Sequence, residues 1–263
     1  MLTRLREMWH QRRNRETLYS TAAYWDHKAE TLRGKAVSMW PNNSLNALYE
    51  HEAETEIRRH LGDIKGVRIL DVGCGTGRMS RWFVAQGAHV TGVDFSAGAL
   101  AIAREGAVGA NPDYRLGSIF ELADEDAFDI AFTWGVIAEA CRQRSQLLDS
   151  LIRIRRALHP GGRLLLNEPI HKGFLHRVLD MDLRTFLTVL QEAGFEVKAM
   201  APMYFWPARL FLSYVPWPAW ITRPVYRLGQ AGMRLPGLSR LGDYWSILAV
   251  SAATTITASD ATK

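Results

Sequence analysis

Three alternating glycines stand where an apolar run gives way to a helical pattern, and this stretch carries the clearest chemical signal in the chain. Residues 67–72, apolar except for Arg68 and Asp71, are followed by Gly73-Cys74-Gly75-Thr76-Gly77. Apolar side chains then recur at helical spacing, which predicts that the glycines occupy the turn from a strand into a helix. Glycine there permits positive φ and leaves bare backbone against which a ligand can lie. The N–H groups at the start of the helix would then face an anionic group.

An acidic residue at the end of the next predicted strand indicates what the ligand contains. This strand covers residues 89–94, and its last residue, Asp94, lies 23 positions after Asp71. A carboxylate at that point can accept hydrogen bonds from both hydroxyls of a ribose. The fingerprint of a dinucleotide site is Gly-x-Gly-x-x-Gly, but here Arg78 stands where its third glycine should be.

The order of strand, Gly-x-Gly-x-Gly, helix, strand and Asp resembles the class I S-adenosylmethionine-dependent methyltransferases, in particular the small-molecule methyltransferases of ubiquinone and menaquinone biosynthesis. The alternative is an ordinary glycine-rich turn of a βα unit. The resemblance covers about residues 45–203 and a last strand near 244–253, and it implies S-adenosyl-L-methionine as the cofactor. The cofactor-binding residues that it implies around the first two strands are Asp71, Gly73, Cys74, Gly75, Gly77, Asp94 and, unless it is a core residue, Phe95.

The resemblance implies further cofactor contacts after the third and fourth strands. Ser118 and Ile119 follow the third strand, where the family holds the adenine ring. Many relatives carry an acidic residue at the position of Ser118, so this chain departs from the family's contact with the adenine amine. Thr133 and Trp134 end the fourth strand, which in the family lies beside the transferred methyl group.

Two residues are candidate bases for an acceptor that must lose a proton. Many relatives place a histidine in the short helix after the fourth strand, and Glu139 holds the matching position, with a solvated glutamate on a helix surface as the alternative. His171 lies in the loop after the predicted fifth strand, at the ligand edge of the sheet, together with Glu168 and His176. Direct transfer of a methyl group requires neither a metal nor a nucleophilic side chain, so no metal site is expected.

Strand and helix patterns alternate from Val67 onward, which predicts an α/β fold with a doubly wound parallel sheet. The family resemblance makes this a mostly parallel, seven-stranded sheet of the Rossmann-like methyltransferase fold, preceded by N-terminal helices. Ser44 is expected to cap the helix that ends at about Leu61. The expected division is residues 1–43 for the N-terminal helices and cap, 44–203 for the cofactor-binding core, 204–243 for an insertion, and 244–263 for the last strand and tail.

The insertion between the last two strands is aromatic and basic. Residues 205–242 carry five arginines and no acidic residue, and they include Trp206, Trp217 and Trp220. Arginine with Trp and Tyr suits the headgroup level of an anionic membrane surface, although no apolar run is long enough to span the bilayer. The alternatives are a lid over the site and a contact in a homodimer. A basic amphipathic helix predicted for residues 1–19 either packs on the domain or lies on a membrane.

Composition bounds the remaining expectations. The chain has 263 residues, 48% hydrophobic and 22% charged, with a net charge of +5. Because the basic residues sit in aromatic-rich segments, no nucleic acid is expected as a partner. Two cysteines without metal-ligand spacing and the lack of a secretory signal predict a cytoplasmic protein, with peripheral attachment to the inner face of the membrane as the finer expectation. The expected function is O-methylation of a hydrophobic or lipid-like small molecule at a membrane surface; a methyltransferase for a soluble metabolite and a catalytically silent cofactor-binding domain are the alternatives.

Overall fold

The structure, a computed structural model, describes residues 14–31, 40–107, 109 and 111–252. Most of the basic helix predicted for residues 1–19 and the polar tail from residue 254 therefore lie outside the described residues.

A single seven-stranded sheet forms the centre of the fold. Its strand order is β3-β2-β1-β4-β5-β7-β6, and β7 runs antiparallel to both of its neighbours while the other paired strands are parallel. The predicted mostly parallel, doubly wound sheet is confirmed. The strands are β1 Arg68–Val72, β2 His89–Asp94, β3 Asp113–Leu116, β4 Phe128–Trp134, β5 Leu158–Glu168, β6 Phe195–Phe205 and β7 Gly242–Ser251.

Helices cover both faces of the sheet because its central strands are apolar on both sides. Leu164 and Leu166 of β5 enter the hydrophobic cluster on one face, and Leu165 between them enters the cluster on the other. This period of two places the sequential leucines in two cores. The helices are α1 Ala22–Thr31, α2 Asn43–Leu61, α3 Arg78–Ala85, α4 Ala97–Glu105, α5 Ile137–Ala140, α6 Arg144–Ala157, α7 Leu183–Glu192, α8 Trp206–Leu212 and α9 Ala219–Met233.

The start of α2 differs from the expectation. The N-cap is Asn42, whose side-chain oxygen accepts a hydrogen bond from Leu45 N at 3.1 Å, so Ser44 already lies inside the helix. The Asn42 amide also donates to Leu212 O at 3.1 Å and to Thr222 Oγ1 at 3.2 Å. One buried side chain therefore begins α2 and holds both helices of the insertion, a contact that needs asparagine rather than serine because only the amide supplies both donors and an acceptor.

The insertion folds as two helices, α8 and α9, which pack against α2 and β6. Tyr226 and Gln230 on the inner face of α9 donate hydrogen bonds to the carboxylate of Glu52 on α2. Gly229 lets α9 approach β6 closely, since a Cβ there would lie 2.8 Å from the ring of Phe205. In the described part of the chain, every helix is too short or too polar to cross a membrane.

Candidate active site

A cavity of about 410 Å³ opens at the carboxyl ends of β1, β2, β3 and β4. This is the position that open α/β sheets offer to ligands, where the chain leaves β1 on one side and returns as β4 on the other. Helix α1 and the residues just before it form the opposite wall. The cavity therefore has a floor of strand ends and turns and a roof of N-terminal side chains.

The three glycines of the turn all have positive φ but serve different purposes. Gly73, Gly75 and Gly77 have φ of 69°, 54° and 72°. A Cβ on Gly73 would lie 2.3 Å from Val136, and one on Gly77 would lie 2.1 Å from the Tyr114 hydroxyl, so packing within the protein requires both glycines. A Cβ on Gly75 would meet no protein atom within 4 Å. Since Gly75 lines the cavity, this opening is the space that a ligand against the bare backbone would fill.

Asp94 is fixed at the rim of this opening by backbone groups. Its two carboxylate oxygens accept hydrogen bonds from Gly75 N and Ser96 N, each at 2.8 Å. Burial raises the pKa of Asp94, and these backbone donors oppose the shift. Each oxygen retains a lone pair, so the carboxylate can still accept the hydroxyls of a ribose. Asp71 lies beside it; its oxygen accepts from Ser80 Oγ at 2.5 Å, and burial raises its pKa to about 6.

We expect Asp94→Ala to weaken the binding of S-adenosylmethionine by about 2 kcal/mol or more, because ribose hydroxyls would lose a charged hydrogen-bond partner. Isothermal titration calorimetry measures the loss. Asp149→Ala, which removes an exposed carboxylate on α6, is the matched control and should bind normally. Unchanged affinity in Asp94→Ala would refute the role of this carboxylate.

The eleven predicted cofactor residues fall into two groups according to whether they line the cavity. Nine of those implied by the resemblance line the cavity, whereas Gly77 and Thr133 do not. The Thr133 hydroxyl is fully buried and donates to Glu168 at 2.7 Å. Ser118 accepts a hydrogen bond from Phe120 N at 3.2 Å, so its hydroxyl caps the following turn. The lining members are Asp71, Gly73, Cys74, Gly75, Asp94, Phe95, Ser118, Ile119 and Trp134.

Glu139 also lines the cavity, on the short helix α5. Burial raises its pKa, while the positive charges of Arg177 and Lys28 act in the opposite direction. The nearest approach to Arg177 is 4.0 Å, between Glu139 Oε1 and Arg177 Nε. Glu139 is thus a carboxylate held in a cationic neighbourhood, not a solvated surface residue.

Glu168 holds the start of α5 in place and does not contact the cavity. Its carboxylate is fully buried, outside the cavity lining, and accepts hydrogen bonds from Thr133 Oγ1 at 2.7 Å and from Val136 N and Ala138 N, each at 3.1 Å. Burial raises its pKa to about 7 despite these donors. Glu168 therefore holds the turn that presents Glu139.

His171 lies outside the cavity lining, in a buried ion cluster. Its Nε2 donates to the carbonyl oxygen of Asp243 at 2.7 Å and lies 3.4 Å from the Asp243 carboxylate. That carboxylate also pairs with Arg209 at 2.7 Å and with Arg177 at 3.7 Å. Burial alone would raise the pKa of Asp243, but the charge of Arg209, a hydrogen bond from His171 and the charge of Arg177 lower it to about 2. His176 is elsewhere and contacts Arg15.

Arg209 corrects one sequence expectation. It is one of the five arginines of the insertion that were expected to face a membrane, yet it is only 3% exposed. The reason is Asp243, the first acidic residue after the acid-free stretch 205–242, whose buried charge requires a close partner. Neither Arg177 nor Asp243 carried a signal in the sequence, because the chain brings them together only through the return of β7 beside β5.

Aromatic side chains form the wall opposite the strand ends. Helix α1 is tied to the start of α4 by Asp26, whose Oδ1 accepts from Ser96 Oγ at 2.6 Å and from Gly98 N at 2.9 Å. Lys28 on α1 places its ammonium 4.6 Å from the centre of the Trp25 ring. The wall is suited to a flat or apolar molecule. Its aromatic members on and just before α1 are Tyr19, Tyr24 and Trp25, and Trp40, Tyr49 and Tyr244 line the same cavity.

Known proteins resemble this chain in both sequence and fold. A family model described as a methyltransferase domain matches residues 69–162. The chain is 29% identical to the ubiquinone biosynthesis O-methyltransferase of Azorhizobium caulinodans, over 72% of this chain and 81% of that protein. It is 46% identical to the protein of the same name from Alkalilimnicola ehrlichii, over 54% of this chain and 59% of that protein. An S-adenosylmethionine-dependent methyltransferase from Mesorhizobium loti shares the fold, with a TM-score of 0.57 and 22% identity over 78% of this chain and 99% of that one.

The matched domain contains the features that the geometry singles out. It runs from β1 into β5 and includes the glycine turn, Asp94 and Glu139. The opening above Gly75, beside a carboxylate held by backbone donors, fits a ligand that carries a ribose. These likenesses support a class I S-adenosylmethionine-dependent methyltransferase, with S-adenosylmethionine as its cofactor.

Proposed function

We propose that this methyltransferase acts on an oxygen atom of a hydrophobic, lipid-like small molecule at a membrane surface. The observation that carries the proposal is the exposed apolar and basic stripe along α9, on a domain whose cavity has an aromatic wall. The names of the relatives from Azorhizobium and Alkalilimnicola, both O-methyltransferases of ubiquinone biosynthesis, support an apolar acceptor.

In this proposal the strand ends hold the cofactor. Asp94 binds the ribose, Phe95 and Ile119 enclose the adenine ring, and the backbone at Gly73 and Gly75 carries the amino-acid portion. When bound, S-adenosylmethionine supplies a methyl group made electrophilic by the sulfonium. The aromatic wall then orients the acceptor and excludes water, and such positioning can account for much of the rate enhancement.

Glu139 is the proposed base. A hydroxyl acceptor must lose its proton, and a base works best when its pKa lies near the operating pH. Burial moves the pKa of Glu139 upward in that direction, while Arg177 and Lys28 keep the ionised form accessible. His171 takes no part in the proposed transfer because it contacts Asp243 rather than the cavity.

The exposed face of α9 combines apolar and cationic side chains at helical spacing. Trp220 and Leu228 are 75% and 73% exposed, and Arg223 and Arg227 on the same face are also exposed. The opposite face is anchored to Glu52, so the stripe is not needed for packing within the protein. Aromatic rings at the headgroup level with guanidinium groups near lipid phosphates describe an interfacial helix.

The membrane proposal predicts that the protein floats with vesicles of anionic lipid and less with vesicles of neutral lipid. The double variant Arg223→Glu and Arg227→Glu should lose at least about 2 kcal/mol of binding, about 30-fold in the partition coefficient, since each arginine near an anionic surface contributes about 1 kcal/mol. Raising the salt should weaken binding of the wild type because it screens the arginine charges. It should not abolish binding, because the Trp and Leu side chains inserted into the bilayer do not depend on charge. Cofactor affinity should not change.

A matched control is available on the α6 and α7 side of the sheet. Arg156→Glu with Arg184→Glu makes the same change of charge at two exposed positions and should leave flotation unaltered. A wild-type protein that stays with the soluble fraction at low salt would contradict the membrane proposal and leave a soluble acceptor, with α9 as a contact between two copies. No described residue from 205–242 lines the cavity, so the contacts do not favour a lid.

A further inference from the structure

We infer that the acceptor binds as an anion, with a carboxylate group on the guanidinium of Arg177. This inference rests on the proposed function, since it names the chemical class of the molecule that occupies the aromatic side of the cavity. It adds a charge requirement that an apolar wall alone does not impose.

Arg177 offers hydrogen-bond donors that the protein leaves unused. Its guanidinium lines the cavity, and its Nε and Nη2 are buried without a hydrogen-bond partner in the described structure. The carboxylates of Asp243 and Glu139 lie 3.7 Å and 4.0 Å away, so they pair with it electrostatically without accepting its N–H groups. A buried donor left unpaired is costly, and an anionic group against the cavity side of the guanidinium would compensate the charge that these donors carry.

The charges around Arg177 do not balance. Apart from His171, which lies against Asp243, the charged side chains here are Lys28, Arg177 and Arg209 with three positive charges and Glu139 and Asp243 with two negative ones. Burial raises the pKa of Glu139, and each proton that it takes up enlarges the positive excess. A buried site with one surplus cation favours a monoanionic ligand, because the ligand charge is then compensated within the low-dielectric site.

Arg177 is held in place before any acceptor binds. Val178 N and Leu179 N donate to Ala138 O at 3.1 Å and 3.0 Å, which ties the loop of Arg177 to the helix of Glu139. The guanidinium also lies 5.6 Å from the centre of the Trp40 ring. Because the side chain is already ordered, binding an anion costs little additional conformational entropy.

The position of Arg177 assigns it to the acceptor rather than to the cofactor. Its contacts are Glu139, Asp243 and Trp40, none of which belongs to the glycine turn. The cationic side chain next to that turn is Arg78, which pairs with Glu50 at 2.9 Å and lies over the Trp134 ring. The two arginines therefore serve different parts of the cavity.

Two probes of equal shape test the inference by calorimetry on the protein saturated with S-adenosylhomocysteine: 2-naphthoate and 2-naphthalenemethanol. We expect the carboxylate to bind at least about tenfold more tightly than the alcohol, as one charge-assisted contact supplies. Arg177→Gln should reduce this ratio to about one, and Arg177→Lys should retain part of it. Arg68→Gln, at the amino end of β1, is the matched control and should keep the wild-type ratio.

Each outcome decides the question. Equal affinity of the two probes for the wild type, or an unchanged ratio in Arg177→Gln, would overturn the inference. If Arg177→Gln lost as much affinity for S-adenosylhomocysteine as for 2-naphthoate, the inference would also be overturned, because the residue would then belong to the cofactor site. If Arg177→Gln does not fold, the wild-type ratio and Lys28→Met decide, and Lys28→Met should lower the ratio about threefold by removing one of the surplus charges. Failure of the wild type to bind S-adenosylhomocysteine would instead count against the proposed function.

Discussion

Gly75→Val will bind S-adenosylmethionine about 100-fold more weakly than the wild type, because its side chain will occupy the space in which the ligand must lie. Forcing extra methyl groups into a close contact costs about 1–3 kcal/mol, and a factor of 100 in affinity corresponds to about 2.7 kcal/mol. The substitution meets no protein atom within 4 Å of the new Cβ. The loss should therefore appear in a calorimetric titration rather than as misfolding.

Gly62→Val separates the effect on the ligand from the effect of the backbone. Gly62 also has positive φ, 67°, and its Cβ would likewise meet nothing within 4 Å, but it ends α2 away from the cavity. Both variants place a branched residue in the left-handed region, which lowers the free energy of unfolding by a similar amount in each. We expect similar losses of thermal stability and a loss of cofactor affinity in Gly75→Val alone. Normal binding by Gly75→Val would show that the cofactor does not cross this turn.

Glu139→Gln will lose about 100-fold or more in methyl transfer while its affinity for S-adenosylhomocysteine stays unchanged, because general bases typically contribute 10²–10⁴-fold. Transfer can be followed as labelled methyl groups entering the organic phase, with a total lipid extract of bacterial membranes as the source of acceptor. An extract that yields no labelled product with the wild type would count against a lipid-like acceptor.

The pH dependence gives Glu139 a second test. A base acts when ionised, so transfer should rise with pH as Glu139 loses its proton, and burial places this rise above the usual range of a carboxyl pKa. Glu139→Gln should remove that limb of the profile. If the variant turns over within about twofold of the wild type, Glu139 is not the base that the transfer requires.

The parts of the fold that the sequence predicted are those controlled by local physics. The positive φ of Gly75 and its neighbours, the strand that ends at Asp94 and the alternation of strands with helices all follow from nearby residues. Each of these signals lies within a short stretch of sequence, so periodicity and glycine placement are sufficient to find them. The predicted Glu139 needed the family resemblance, since no local pattern marks a base.

The parts that sequence reasoning missed depend on distant pairs. Arg177 and Asp243 are separated by 66 positions, and their meeting follows from the antiparallel return of β7. The sequence predicts a surface position for Arg209 because its partner, Asp243, lies just beyond the acid-free stretch 205–242. Asn42 is similar: its capping bond is local, but its bonds to α8 and α9 are long-range.

The most direct test of the account is a crystal structure of the wild-type protein with S-adenosylhomocysteine. We expect both ribose hydroxyls to bind the carboxylate of Asp94, the ligand to pass over Gly75, and its sulfur to face the side of the cavity that holds Glu139. A ligand bound elsewhere, or one whose ribose does not contact Asp94, would contradict the proposed site and every role derived from it.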